Sequence, residues 1–296
     1  MAIEPDRWSR WLRERRDAGD EQRRAFILQQ LAPVRDRVLG GAEPLAGATL
    51  LDVGTGDGLV GLGALERVGP DGTVIFSDVS PALLEHAREA VAARGLLDRA
   101  RFVQASADDL AAIPDASVDA VTTRSVLIYV ADKPRAFAAM HRVLAPGGRL
   151  SLFEPINRLT SPEPADRFWG YDVGEVWDLA DKVKASYGDL EDPAVGAMTD
   201  FDDRDLVAFA EAAGFERIHM ECHIDIEPSP FLRATSVDIL LDTAPNPLAP
   251  TVRESVAAAL TAAEQEHFLA HLARAIAAGD PIRRSALAYL AATKRS

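Results

Sequence analysis

Apolar and polar positions change rhythm twice along the chain. Residues 5 to about 40 follow a helical repeat: Trp8, Trp11 and Leu12 share one face, and Phe26, Ile27, Leu31 and Val34 continue at helical spacing. Pro33 is expected to bend or break that run. From Thr49 onward short apolar runs alternate with helical patterns. Strands are predicted at 49–53, 73–77, 100–104, 118–122 and 149–153, with a glycine loop at 54–58 and a helix to about Arg67 after the first. The helix after the second strand opens on Ser80 and Pro81, a capping residue and then proline at the first helical position. A helix over 133–144 is stopped by Pro146, Gly147 and Gly148. Strands that alternate with helices call for a mostly parallel sheet covered on both faces. Ligands of such sheets gather beyond the carboxyl ends of the strands, where the strand order reverses.

After Glu154 the regularity breaks. Residues 155–199 are rich in Pro, Gly, Asp and aromatic side chains, with a helix expected around 174–187. A helix over 200–213 closes at Gly214, a strand follows at 216–226, and the last strand falls at 285–293. Between those strands two helices are predicted, 235–242 and 251–279. An insertion of that length without structure of its own would be unusual, so both insertions read as a cap over the strand-end loops.

Composition narrows the class. The chain has 296 residues, 48% of them apolar and 26% charged, which suits a soluble globular protein with a sizeable core. Its net charge of -14 repels phosphate backbones, so a nucleic-acid partner is not expected. No apolar run is long enough for a membrane span, and the charged first twenty residues do not resemble a secretory signal. Cys222 is the single cysteine, which leaves no internal disulfide or cysteine-built metal site. A cytoplasmic location is the expectation.

The chemistry starts at Leu51, Asp52, Val53, Gly54, Thr55, Gly56, Asp57 and Gly58. An acid ends a strand, and alternating glycines turn the chain into a helix while letting a ligand approach the backbone. Gly56, Gly58 and Gly61 also satisfy the dinucleotide pattern G-x-G-x-x-G, with Asp78 about twenty residues on. Two features disfavour that reading. The dinucleotide glycines should begin directly after the strand, where Gly54 stands, and Asp57 would sit poorly against a pyrophosphate. Asp78 follows the second strand, where a carboxylate can accept both hydroxyls of a ribose.

The stretch 51–58 resembles motif I of the class I S-adenosylmethionine (SAM) dependent methyltransferases. Ser117 to Val121, the loop from Thr122 to Val130, and Arg142 to Leu150 resemble the middle motifs of the same family at matching spacing. The resemblance is good over 45–155 and loose over 200–228. It implies a Rossmann-like, doubly wound, mostly parallel sheet with helices on both faces. The implied organisation is an N-terminal helical lid (1–44), a SAM-binding core (45–228) with an insertion at 155–199, a helical cap insertion (229–283) and a last core strand (284–296). It also implies that Asp52, Gly54, Thr55 and Gly56 line the methionine end of SAM, with Asp52 near the ammonium. Asp78 and Val79 would lie at the ribose. Related enzymes carry Gly-Asp-Ala after the third strand; this chain has Ser106 at the Asp position, so the adenine contact passes to Ser106, Ala107 or Asp108. Thr123 and Arg124 would face the cofactor.

Methyl transfer is an in-line displacement at carbon, so the protein mainly aligns the reactants and excludes water. A base is needed only if the acceptor must lose a proton, as an oxygen or carbon acceptor would. Glu154, at the carboxyl edge of the fifth strand, is the candidate base, with His223 as a second. The alternative for Glu154 is a carboxylate that shapes a loop by hydrogen bonding. His219 and His223 share a strand face but have no evident third ligand, so no metal is expected. Tyr129, Trp169, Tyr171 and Trp177 could line an apolar pocket for a small-molecule acceptor, and Trp8 or Trp11 could face the sulfonium. A secondary-metabolite acceptor and a monomer or homodimer complete the expectation. The competing readings are an NAD(P)-dependent Rossmann oxidoreductase and a non-catalytic SAM-binding module.

Overall fold

A computed structural model describes residues 3–187, 193–228, 236–279 and 281–296. Seven strands form the main sheet: β1 (Thr49–Val53), β2 (Thr73–Asp78), β3 (Ala100–Gln104), β4 (Val118–Arg124), β5 (Leu144–Pro155), β6 (Phe215–Pro228) and β7 (Ile282–Lys294). Their spatial order is β3-β2-β1-β4-β5-β7-β6. The first five are parallel, while β7 runs antiparallel to both β5 and β6. The order reverses between β1 and β4, so loops leaving both strands flank one crevice.

The two-residue period of the strands divides the core. Leu51 and Val53 of β1 face one layer with Phe137, Met140 and Leu206, whereas Leu50 faces the other with Val38, Leu39 and Phe76. A third apolar cluster lies in the insertions, where Phe168, Tyr171, Leu179, Val252, Phe268 and Leu272 pack together.

Local signals decide most boundaries. Ser80 caps helix Pro81–Ala92 by accepting from Leu83 N at 3.1 Å. The helix expected over 251–279 is two helices, Val252–Ala259 and Ala262–Ala278, because Thr261 starts a second capping box with Glu264. The N-terminal run also breaks, but not at Pro33, which lies inside the helix Glu21–Gly41. The break falls at Ala18 and Gly19, both at positive φ, where Asp17 accepts from Gly19 N and Arg24. Before it, helix Arg7–Arg10 passes into a π-turn, Trp11–Arg15. Segments 188–192 and 229–235 of the insertions lie outside the described residues.

Candidate active site

The carboxyl ends of β1, β2, β3 and β4 open into one cavity of about 420 Å³. Gly54, Gly56, Asp78, Val79, Ser106, Ala107 and Asp108 line one side. Arg124, Ser125, Val126, Ile128 and Tyr129, from the loop after β4, line another. The N-terminal segment closes it with Trp8, Trp11, Leu12, Arg16, Ile27 and Leu31. That volume suits a ligand of nucleoside size, and the wall is mainly apolar with a few convergent polar groups.

The glycine loop is held from below. Asp52 is 2% exposed, and both its oxygens are occupied. Oδ2 accepts from Thr55 Oγ1 at 2.7 Å and Gly61 N at 3.0 Å, and Oδ1 accepts from Thr122 Oγ1 at 3.0 Å. Burial raises its pKa to about 6, against the pull of those donors. Asp52 and Thr55 therefore brace the loop and do not line the cavity, unlike the contact with an ammonium expected of Asp52. Gly54, at φ 66°, has no room for a side chain, since a Cβ there would stand 2.3 Å from Val126 Cγ2. Gly61 owes its identity to packing as well: its Cβ would stand 2.3 Å from the Phe76 ring. The dinucleotide-like spacing thus has a packing cause at its third glycine.

Asp78 is buried yet lines the cavity. Oδ2 accepts from Gly56 N and Oδ1 from Ser80 N, each at 2.9 Å, which leaves further lone pairs for hydroxyl donors. Burial raises its pKa. After β3, Ser106 donates to Asp108, and Ser106, Ala107 and Asp108 are all at the wall.

Glu154 was expected either as a base or as a carboxylate that shapes a loop by hydrogen bonding. It is fully buried at the end of β5 and does not line the cavity. Oε1 accepts from Val126 N at 2.9 Å and Leu127 N at 3.0 Å, and Oε2 from Ile128 N at 3.3 Å. Burial pushes its pKa up to about 7, while those three N–H groups pull it down. The carboxylate shapes the turn that carries Val126, Ile128 and Tyr129. His223 is farther still from the site: it flanks Glu221 at 3.5 Å on an exposed face of β6, as His219 does. Thr123 is buried and off the wall, and its hydroxyl has no hydrogen-bond partner.

Of the aromatic candidates, Tyr129 lines the cavity, edge-on to Trp8 at 5.1 Å. Burial, with Glu154 nearby, holds its phenol protonated. Tyr171 lies in the cap core, Trp169 packs against that core, and Trp177 is 53% exposed. None of the three lines the cavity: the cap uses Trp169 and Tyr171 to build its own core, and Trp177 faces outward. Arg16 had no sequence signal. The π-turn bond from Arg16 N to Trp11 O (2.8 Å) sets Arg16, rather than Arg15, above Trp11 on the inward face.

Hydrogen bonds and ion pairs fasten the N-terminal segment at both ends. Ser80 Oγ donates to Asp6 Oδ2, and Arg16 stands 3.6 Å from Asp57 of the glycine loop. On the other side, Trp11 Nε1 donates to Ala244 O at 3.0 Å, Ala244 N donates to Arg15 O at 2.9 Å, and Arg15 pairs with Glu254 at 3.4 Å. No helix among the described residues is long and apolar enough to cross a membrane.

Comparison with known proteins agrees with this geometry. Residues 50–148 match the family described as a methyltransferase domain. The chain is 33% identical to nocamycin O-methyltransferase of Saccharothrix syringae over 213 residues, which is 71% of this chain and 72% of that protein. It is 41% identical over 109 residues to the ubiquinone/menaquinone biosynthesis C-methyltransferase UbiE of a Marinomonas species, covering 37% of this chain and 43% of that one. Geranyl diphosphate methyltransferase, solved with SAM, shares the fold with a TM-score of 0.51 at 16% identity, over 89% of this chain and 85% of that one. The likeness to nocamycin O-methyltransferase spans more than two thirds of both proteins, so the chain belongs to the class I SAM-dependent methyltransferases; it is an enzyme, and its methyl donor is SAM rather than a nicotinamide cofactor.

Proposed function

We propose that this enzyme methylates a small, largely apolar acceptor at oxygen or carbon, inside the cavity closed by its N-terminal segment. The observation that carries this reading is the continuity of one cavity. It runs from the glycine loop and Asp78 to an apolar wall made of Trp11, Leu12, Ile27, Leu31, Ile128 and Pro155. The polar side fits a nucleoside with an amino-acid tail. Gly54 and Gly56 expose backbone, Asp78 has acceptor capacity for ribose hydroxyls, and Ser106 to Asp108 offer polar groups to a base. The apolar side is left for the acceptor. That curated relatives are named as O- and C-methyltransferases supports the choice of atom.

SAM supplies a methyl group already activated on a sulfonium. The residues of this chain orient and enclose. Val79, at the wall, packs beside the ribose position. Glu154 is a positioning residue: it fixes the turn at 126–128, and Val126 of that turn in turn covers Gly54. Tyr129, kept protonated, can donate a hydrogen bond from the wall but not act as a base. The enclosed geometry favours an acceptor acidic enough to be ionised when it binds, or one whose proton leaves through water. The 229–283 insertion braces the lid through Ala244 and Glu254, and a cavity roofed by the N-terminal segment favours a small molecule over a nucleic acid.

The test is incubation of the full chain with methyl-labelled SAM and a panel of apolar phenols, enols and carboxylic acids, each paired with its amine analogue. Labelled O- or C-methyl products by mass spectrometry would support the reading. Exclusive N-methylation, or methylation of protein alone, would overturn it.

A further inference from the structure

The chain carries 46 acidic and 32 basic residues, yet two arginines, Arg16 and Arg124, face its cavity. Of the two, Arg16 is the one with a buried side-chain nitrogen left unpaired among the described residues. Its side chain is 14% exposed, and its one ion-pair partner, Asp57 Oδ2, stands at 3.6 Å, longer than a hydrogen bond. Among the described residues, Arg16 Nε has no hydrogen-bond partner, nor does Asp57 Oδ1. A buried guanidinium with unmade bonds is costly, so an acceptor for it is the missing element. Burial, followed by the repulsion of Arg124, lowers its pKa, while Asp57 raises it.

The local backbone is arranged to aim this residue. With ordinary α-helical spacing Arg15 would stand above Trp11. The π-turn moves Arg16 there instead, beside the loop of Gly54 and Gly56. Single π-turns recur at functional positions for this kind of re-aiming. Arg16 lies outside the matched methyltransferase domain at 50–148.

We propose that Arg16 binds the α-carboxylate of the amino-acid half of SAM, and that this contact holds the N-terminal segment shut over the site. The carboxylate is the chemical match for a planar guanidinium, which can meet it with two parallel N–H groups. The proposal rests on reading the cavity as the cofactor site, with the methionine half at the glycine loop. The consequence reaches the cap. Trp11 and Arg15 of the same segment bond to Ala244 and Glu254, so a carboxylate held by Arg16 also steadies the insertion.

The test uses two ligands that share the adenosine and the thioether. S-adenosylhomocysteine has the amino-acid carboxylate and 5′-methylthioadenosine lacks it. Calorimetric titration of the full chain should show Arg16→Gln weakening S-adenosylhomocysteine by about 30-fold or more, while methylthioadenosine changes by less than about twofold. Hydrogen exchange supplies a readout independent of turnover. S-adenosylhomocysteine should protect the amides of residues 7–16 in the natural protein, and methylthioadenosine should not. The methylthioadenosine affinity also reports whether the variant has kept its pocket. Equal losses for both ligands would overturn the proposal, since they would mean a purely structural role. Unchanged binding of S-adenosylhomocysteine would overturn it as well, and so would a selective loss that belongs to Arg124→Gln instead. If the natural protein bound neither ligand, the reading of the cavity itself would fall.

Discussion

The head of the sheet and the cap are both built from capped helices and aromatic side chains, but they use their apolar faces in opposite ways. At the head of the sheet, Val79, Ile128 and Tyr129 turn apolar surface towards a cavity. In the cap, Phe168, Tyr171 and Phe268 turn it inward, and Phe168 meets Phe268 edge-on at 5.4 Å. The cap therefore stands on a core of its own, and Trp11 and Arg15 of the N-terminal segment tie it to the cavity wall through Ala244 and Glu254. Among the described residues, these bonds from the cap to the lid hold Trp11 and Arg15 in place.

The sharpest way to break that comparison is to empty the cap core. Phe268 is fully buried, and Phe268→Ala should lower stability by about 3–5 kcal/mol, through lost transfer energy plus the cavity left behind. Chemical denaturation would measure it. If the two regions are separate, methylthioadenosine affinity in the folded variant should stay close to that of the natural protein, while protection of residues 7–16 falls. A large loss of nucleoside affinity would mean that the cap core and the cofactor loops form one unit.

The next largest effect belongs to the head of the sheet. Asp78→Ala removes the acceptor of Gly56 N and Ser80 N and the carboxylate offered to the ribose. It should weaken S-adenosylhomocysteine and methylthioadenosine alike, by about 2–3 kcal/mol in calorimetric titration. Equal loss for both ligands would distinguish it from Arg16, whose effect should appear with only one. Unaltered affinity would remove Asp78 from the site.

The same contrast explains what could be read in advance. The strands, Ser80 and the glycine loop depend on neighbours in sequence, so their periodicity and turn chemistry were visible. Asp78 and the Ser106 to Asp108 loop followed from their place after strands. The failures lie where a residue's partners are far away in the chain. Nothing local to Glu154 announces that the N–H groups of 126–128 will surround it. Nothing local to Tyr171 says that it will meet the partners of Phe268. The inward turn of the Asp52 carboxylate could not be read either, because the bonds from Thr122 and Gly61 come from two other elements. Arg16 escaped because an i+5 turn changes which residue faces inward, and hydrophobic spacing does not encode that shift.

Glu154 belongs to the head of the sheet, and its titration has a definite sign. Its pKa lies near 7 in the folded chain against an ordinary 4.5, so between those values the folded chain holds a proton that the unfolded chain has released. The contribution of Glu154 is whole below about pH 4.5 and is lost as pH rises through 7. Asp52, raised to about 6, adds a slope of the same sign. Glu154→Gln replaces one carboxylate oxygen with a donor that faces backbone N–H groups. It should cost about 1–3 kcal/mol. Stability should also become flatter with pH between 4.5 and 7, with the gap to the natural protein widest at the acid end. Denaturation midpoints across that range would check both. A slope unchanged by the substitution would show that Glu154 does not titrate there. In turnover, a positioning role predicts a fall that is similar at every pH, whereas a base would shift the pH profile.

The smallest effect tests the joint between the regions. Trp11→Phe keeps an aromatic ring at the cavity wall but removes the indole N–H that bonds to Ala244 O. One neutral hydrogen bond is worth about 1 kcal/mol, so global stability should barely move. Affinity for methylthioadenosine should stay the same, because the bond is absent from the nucleoside end. The change should instead appear as faster hydrogen exchange in residues 7–16 and around Ala244, by about fivefold for that free energy. Faster exchange in residues 7–16 alone would mean that the cap stands without the lid. Acceleration in both places would show that the cap and the cofactor loops communicate through this segment, and that the insertion serves the reaction by keeping the lid in register.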